Sequence, residues 1–165
     1  MVVEIRLANR ADLPAIVAIY NAAIPGHQAT TDLTEVSVED REPWFGAHDP
    51  ERRPLWVAVS DADEVIGWLS FSTFYDRPAW DPTVEVSYYV HPARQRQGVG
   101  RALLNHALAA APALGISSVM ALVAGHNDAS IGLLASAGFH QWGHLPRVVQ
   151  MPEGPRDILI LGRSV

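Results

Sequence analysis

Between Thr83 and Leu104 the chain leaves an apolar, β-branched run, Thr83-Val84-Glu85-Val86-Ser87-Tyr88-Tyr89-Val90. It crosses a polar loop, His91-Pro92-Ala93-Arg94-Gln95-Arg96-Gln97, and enters a helix opened by Gly98 and Gly100. A second strand-like run follows at 116–123. Strand, helix and strand in that order form a crossover unit, which requires two strands running parallel with the helix on one face of their sheet. The expected class is therefore layered α/β with a mixed sheet.

The flanking segments fit that class. Residues 2–8 read as a first strand. Asp12-Leu13-Pro14 starts a helix, with Pro in the first turn, and Leu13, Ile16, Val17 and Tyr20 continue at helical spacing up to Ile24-Pro25-Gly26. Ser37 and Asp40 form a capping-box pattern that opens a second helix to about His48. Residues 55–59 and 65–74, joined by Asp61-Ala62-Asp63-Glu64, read as a hairpin. Pro112 and Gly115 close the helix that begins near Gly98. Asp128 to Ala137 is a short helix for which Asp128 is expected to be an N-cap only. Gly138-Phe139 turns into another strand, and Asp157 to Leu161 is the last. At 165 residues, one domain spanning 1–165 is expected.

The two glycines carry chemistry. At a helix start they let anionic oxygens approach bare backbone N–H groups at the positive end of the helix dipole. Arg94, Arg96 and Arg101 add charge there. A Rossmann fingerprint is excluded: its third glycine would be Leu103, and its acidic residue ~20 positions on falls in Ser118-Val119-Met120. A Walker loop is excluded because all 12 basic residues are Arg, with no Lys anywhere. Lysine Schiff-base chemistry is excluded for the same reason.

Composition removes other classes. No cysteine is present, so disulfides, thiolate zinc sites and a thiol nucleophile are ruled out. The net charge of −6 without a basic stripe argues against nucleic acid. No apolar run approaches the ~20 residues of a membrane span, and the expected location is cytoplasmic. The seven histidines show no metal-ligand spacing, so no metal is expected.

The hexapeptide Gln95-Arg96-Gln97-Gly98-Val99-Gly100 resembles the Q/R-x-x-G-x-G/A signature of the GCN5-related N-acetyltransferases. Three further blocks are similar to the phosphinothricin and methionine sulfoximine acetyltransferase subfamily: Ala18-Ile19-Tyr20-Asn21-Ala22-Ala23, the strand from Thr83 to Pro92, and Gly125-His126-Asn127-Asp128-Ala129-Ser130-Ile131 with Ala137-Gly138-Phe139. The resemblance runs from about residue 3 to 162. It implies a six- or seven-stranded mixed sheet whose central strands splay around acetyl-CoA. It implies backbone contacts from Tyr88, Tyr89 and Val90 to the acetyl and pantetheine end. It further implies a pyrophosphate cradle of Arg96, Gln97, Gly98, Val99, Gly100 and Arg101, and a pantetheine contact from Asn127, which is expected to be able to cap the helix as well as to bind.

Glu85 stands out in its own right. Period-2 alternation puts Glu85, Ser87 and Tyr89 on one face and Val84, Val86, Tyr88 and Val90 on the other. A central strand covered on both sides should be apolar on both faces, so an acid there calls for a reason. An amine arrives as ammonium and must lose a proton before it attacks a thioester, which a carboxylate can accept. In the family a Glu at this position has that role. Tyr75, Arg77, Glu85 and Ser87 are the expected acceptor-side residues.

Two departures from the family pattern stand out. Leu134 occupies, or adjoins, a position where many members carry Tyr or His, which leaves the general acid unassigned. The Lys and Arg of the subfamily's last hairpin are missing from the stretch 150–157. Arg77 and Arg147 are then the cations nearest the acceptor by sequence position, and the expected pocket is more apolar than the subfamily's, so that an α-amino-acid analogue is expected to be accepted only weakly and a less polar primary amine to be preferred.

The resulting expectation is an acetyl-CoA-dependent N-acetyltransferase for the primary amine of a small molecule. An amino-acid analogue such as phosphinothricin or methionine sulfoximine is the acceptor the resemblance implies, and a homodimer is its expected assembly. The alternatives are an acetyltransferase for protein N-termini or other amines, and a non-catalytic acyl-CoA-binding module.

Overall fold

A computed structural model describes residues 3–165. In chain order the strands are β1 (Glu4–Leu7), β2 (Leu55–Val59), β3 (Val65–Thr73), β4 (Thr83–Val90), β5 (Ser118–Ala124), β6 (His140–Met151) and β7 (Gly154–Ser164). The helices are α1 (Leu13–Ala23), α2 (Val38–Gly46), α3 (Val99–Ala110) and α4 (Asp128–Ser136). The strands form one seven-stranded sheet in the order β1-β2-β3-β4-β5-β7-β6. Every pairing is antiparallel except β4 with β5, the pair joined by the α3 crossover.

Two apolar clusters cover the two faces. One gathers Phe71, Val84, Val86, Leu103, Leu104, Val119 and Leu134 with α3 and α4. The other gathers Ile16, Ile19, Tyr20, Val57 and Trp68 with α1 and α2. On α3 the buried residues Val99, Leu103, Leu104, Ala107 and Leu108 recur at helical spacing and form a single stripe. Each fully buried Leu stabilises the fold by about 1.5–3 kcal/mol. β2, between β1 and β3 and covered on both sides, is buried at all five positions.

The local signals behave as their chemistry requires. Ser37 and Asp40 make both bonds of the capping box, at 3.0 and 3.2 Å, and set the start of α2. α1 is preceded by a tight turn at Arg10–Asp12, capped by Asn9. In that turn the buried Asp12 takes two hydrogen bonds from Arg6, at 2.7 and 2.9 Å. Several boundaries shift: β5 begins at Ser118 rather than at 116, and α2 ends at Gly46 rather than near His48. β1 is shorter than the expected 2–8, whose first residue lies outside those described. Asp128 is not the cap of α4 but its first residue: the cap is Asn127, whose side chain accepts from the Ser130 N–H at 3.2 Å. The last strand is longer than 157–161 because β7 lies between two partners. It makes seven register pairs with β5 and a hairpin with β6, and these carry its polar ends into the sheet.

Candidate active site

β3 holds β4 along seven register pairs, from Gly67↔Val90 to Thr73↔Val84. β7 holds β5 over its whole length. Between themselves β4 and β5 pair only at Thr83↔Ser118, Val84↔Val119 and Glu85↔Met120. Beyond Glu85 they part. The edge of β4 from Val86 to Val90 that faces β5 therefore has no strand partner, although it lies in the middle of a sheet. Unpaired backbone groups in such a place are costly unless something supplies matching donors and acceptors. An extended molecule carrying amides, such as a pantetheine arm, meets that demand.

The mouth of this fork leads to α3. The turn before it is stabilised by bonds from Ala93 N–H to His91 Nδ1 (3.1 Å) and from Gln97 Nε2 to the Ala93 carbonyl (3.0 Å). Arg96 and Gly98 both adopt positive φ, 58° and 85°, and Gly98 caps the helix. The first intrahelical bond runs from the Ala102 N–H to the Gly98 carbonyl. The N–H groups of Val99, Gly100 and Arg101 are thus left for a ligand. Val99's own side chain is buried in the core, so only its backbone can serve. A Cβ at Gly100 would lie 3.3 Å from Leu133 and 3.6 Å from Val90, where α3, α4 and β4 meet. Among the described residues no carboxylate pairs with Arg94, Arg96 or Arg101. Free amides at a helix N-terminus beside three unpaired guanidinium groups fit a pyrophosphate. Asn127 spends its side-chain oxygen on the α4 cap, which leaves its amide N–H₂ for a ligand.

Glu85 sits where the fork begins. It is half-buried, its side chain makes no hydrogen bond or ion pair among the described residues, and burial pushes its carboxyl above the ordinary 4.5. Desolvation without a compensating charge favours the protonated acid and makes the anion a stronger base. Across β3, Glu85 faces Ser72, Ser87 faces the buried Ser70, and Tyr89 faces Trp68. The Tyr89 ring lies 4.9 Å from that of Trp68 and 5.0 Å from that of Tyr20, and its hydroxyl donates to the Ala29 carbonyl at 3.1 Å. Burial is the main reason its phenol is pushed up.

The α1–α2 connection crosses this face. His126, just past β5, bonds through Nε2 to the His27 carbonyl at 2.8 Å, and His27 pairs with Glu153 at 2.6 Å. Tyr20 bonds Thr30 and Asp32 there. Arg41 stacks 4.7 Å above the Tyr20 ring and 3.7 Å from Asp32.

Most of the expected site residues therefore converge. Glu85, Ser87 and Tyr89 share one face of the fork, Tyr88 and Val90 the other, and residues 96–101 with Asn127 line its mouth. Tyr75 and Arg77 do not join Glu85 by any contact. They are exposed on the β3–β4 loop, where Tyr75 packs on Trp80 with rings 5.5 Å apart. Arg147 is likewise exposed, at a bulge between Leu145 and Val149, with its N–H bonded to Asp157. Leu134 is fully buried and has no proton to give. Sequence reasoning missed Arg41, whose distance in the chain hid its place beside Tyr20. It also missed the 2.6 Å bond between the Tyr88 and Ser130 hydroxyls. A buried tyrosine ordinarily finds a partner for its hydroxyl, and that was the available signal. A groove of about 710 Å³ behind α4, lined by Asn105, Gly138, His140, Trp142 and Arg163 among others, contains none of the expected residues.

Comparison with known proteins accounts for this arrangement. The chain is 46% identical over 161 residues, 98% of each chain, to YwnH of Bacillus subtilis (strain 168), a protein provisionally named a phosphinothricin acetyltransferase. It is 37% identical to an L-methionine sulfoximine/L-methionine sulfone acetyltransferase of Pseudomonas paraeruginosa (strain DSM 24068 / PA7), over 91% of this chain and 87% of that one. Its fold superposes with a TM-score of 0.94 on a GNAT superfamily phosphinothricin acetyltransferase of Sinorhizobium meliloti in complex with AcCoA. That structure is 28% identical and the match covers 100% of this chain and 89% of that one. The family model of the acetyltransferase (GNAT) family matches residues 14–139. With the forked central strands and the helix-mouth amides, these matches show that the chain belongs to the acetyltransferase (GNAT) family.

Proposed function

We propose that Glu85 is the general base in transfer of the acetyl group of acetyl-CoA to the primary amine of a small molecule. The observation that carries this reading is a half-buried carboxylate without a partner, placed where β4 and β5 separate. Acetyl-CoA is a co-substrate whose thioester supplies the activated acyl group. The amides of Gly98, Val99, Gly100 and Arg101, with the Arg96 and Arg101 guanidinium groups and Gln97, hold its pyrophosphate. The open backbone of Tyr88, Tyr89 and Val90 pairs with the pantetheine arm, assisted by the Asn127 amide. N–H groups near Tyr89 and Val90 polarise the thioester carbonyl. Glu85 takes the ammonium proton, directly or through water, and frees the nitrogen lone pair. Ser87 shares the Glu85 face, and Tyr75 and Arg77, on the exposed β3–β4 loop, are the further acceptor-side candidates.

The acceptor class is an α-amino-acid analogue. The names of the two relatives support this, and so does Arg41, a guanidinium on the Glu85 face that revises the expectation of an apolar pocket. A carboxylate in a partly buried site needs such a cation. Thiol release with a panel of amines tests the reading. Methionine sulfoximine or phosphinothricin is expected to exceed matched amines lacking the carboxylate by roughly tenfold in kcat/KM, about 1.4 kcal/mol. Arg41→Ala and Arg77→Ala would show which cation carries the difference. Equal rates would remove the amino-acid assignment, and no turnover with any amine would favour a non-catalytic acyl-CoA-binding module.

The finer expectations belong to the same proposal. One catalytic domain over residues 1–165 is supported by the common sheet. Work in the cytoplasm is part of the same reading; among the described residues no helix is long and apolar enough to cross a membrane. A homodimer is supported by the edge strand β6, where Trp142, Leu145 and Val148 are exposed. Sedimentation at the monomer mass across micromolar concentrations would refute the dimer.

A further inference from the structure

Acetyl transfer leaves one role open: the sulfur that departs must end as a thiol. Leu134, at or beside the position where many family members carry a proton donor, is sealed in the core. One helical turn earlier on α4 lies Ser130, and its hydroxyl is 2.6 Å from that of Tyr88. Tyr88 belongs to the stretch of β4 that has no partner in β5. Its backbone borders the open edge while its ring reaches toward α4 on the face opposite Glu85. The two hydroxyls therefore bridge the opening from β4 to α4.

We infer that the Tyr88 hydroxyl, oriented by Ser130, gives its proton to the departing sulfur. The inference rests on the acetyl-transfer reading above. Two opposing influences suit the group to that role. Burial pushes the phenol up to about 12, so it holds its proton at neutral pH, and the Ser130 bond acts the other way by favouring the phenolate. The bonds balance. The amine nitrogen forms a bond to the acyl carbon, the carbon–sulfur bond breaks with its electron pair going to sulfur, and the Tyr88 proton joins the sulfur. The phenolate recovers a proton from water. Of the three ammonium protons one stays on the amide, and the two others leave to solvent by way of Glu85 and water. The net products are the amide, a thiol and one released proton. Glu85 and Tyr88 thus stand on opposite faces of one strand, base on the acceptor side and acid on the thiol side.

Tyr88→Phe removes only the hydroxyl. With an alkyl thiol titrating near ~8.5, proton assistance is worth less than for a poorer leaving group. kcat is therefore expected to fall roughly tenfold to a hundredfold, at or below the low end of proton-transfer catalysis, with KM for acetyl-CoA within about threefold. A bridge serving only to tie β4 to α4 would not move the second readout, the ultraviolet titration of the thiol of bound coenzyme A. In wild type that thiol is expected to titrate roughly one unit lower than in Tyr88→Phe, a tenfold difference in thiolate fraction. If Tyr88→Phe does not fold, Ser130→Ala must raise the same thiol pKa. An unchanged thiol titration, or kcat within twofold of wild type in a folded Tyr88→Phe, overturns the inference. Because the titration needs no acceptor, it decides even if no amine in the panel turns over. Slow Glu85→Gln beside a fast Tyr88→Phe would sink this inference alone and leave the general-base reading standing.

Discussion

Glu85→Gln is expected to lower kcat by roughly 10²–10⁴-fold, the usual range when a general base is lost. Acetyl-CoA affinity should stay within about twofold, because the cradle lies at the other end of β4. The pH profile gives the sharper test. Burial raises the Glu85 carboxyl above its ordinary value, so the basic form is lost as pH falls through that raised pKa. Wild-type kcat/KM should therefore decline on the acid side at a pH above the ordinary 4.5 of a glutamate, and Glu85→Gln should lack that limb. Stability should respond in the opposite sense. A carboxyl whose folded pKa is raised contributes stability that is fully present below its unfolded pKa and is lost as pH rises through the folded one. At neutral pH the anion is thus a burden, and Glu85→Gln should melt at or above the wild-type temperature. A mutant with the wild-type rate at neutral pH would make Glu85 structural.

Gly100→Val should weaken acetyl-CoA binding at least tenfold, about 1.4 kcal/mol. Gly100 lies at the crossing of α3 with α4 and β4, where even a Cβ would press on Leu133 at 3.3 Å. Two further methyl groups at the second residue of α3 would press on Leu133 and Val90 and shift the helix start, displacing the N–H groups that no intrahelical acceptor satisfies. The loss falls on the placement of those N–H groups, while the buried stripe of Val99, Leu103 and Leu104 keeps the rest of the helix on the sheet. Calorimetry on a mutant with an unchanged circular dichroism spectrum is the measurement. Unaltered affinity would remove the pyrophosphate cradle from residues 96–101.

These effects differ in how far they were visible before folding. The crossover unit, the β2–β3 hairpin, the Ser37–Asp40 cap and the glycine-opened helix are local matters. Each depends on side-chain period, capping groups or backbone freedom within a few residues, so the linear order carries them. Glu85 was legible for the same reason, as an acid in a run that alternation places in a covered strand. The length of β7 was not legible, because pairing with β5 on one side and β6 on the other extends it past its apolar centre. The parting of β4 and β5 after Glu85 was implied only by resemblance. It arises because each strand is fixed by its outer neighbour, a property of the sheet rather than of either segment. Arg41 reached the acceptor face from α2, and Ser130 met Tyr88 from 42 positions away. Contacts of that separation are set by how helices dock on the two faces of the sheet. No periodicity or spacing encodes them, which is why the proposed base could be read from the chain while the proposed acid had to await the fold.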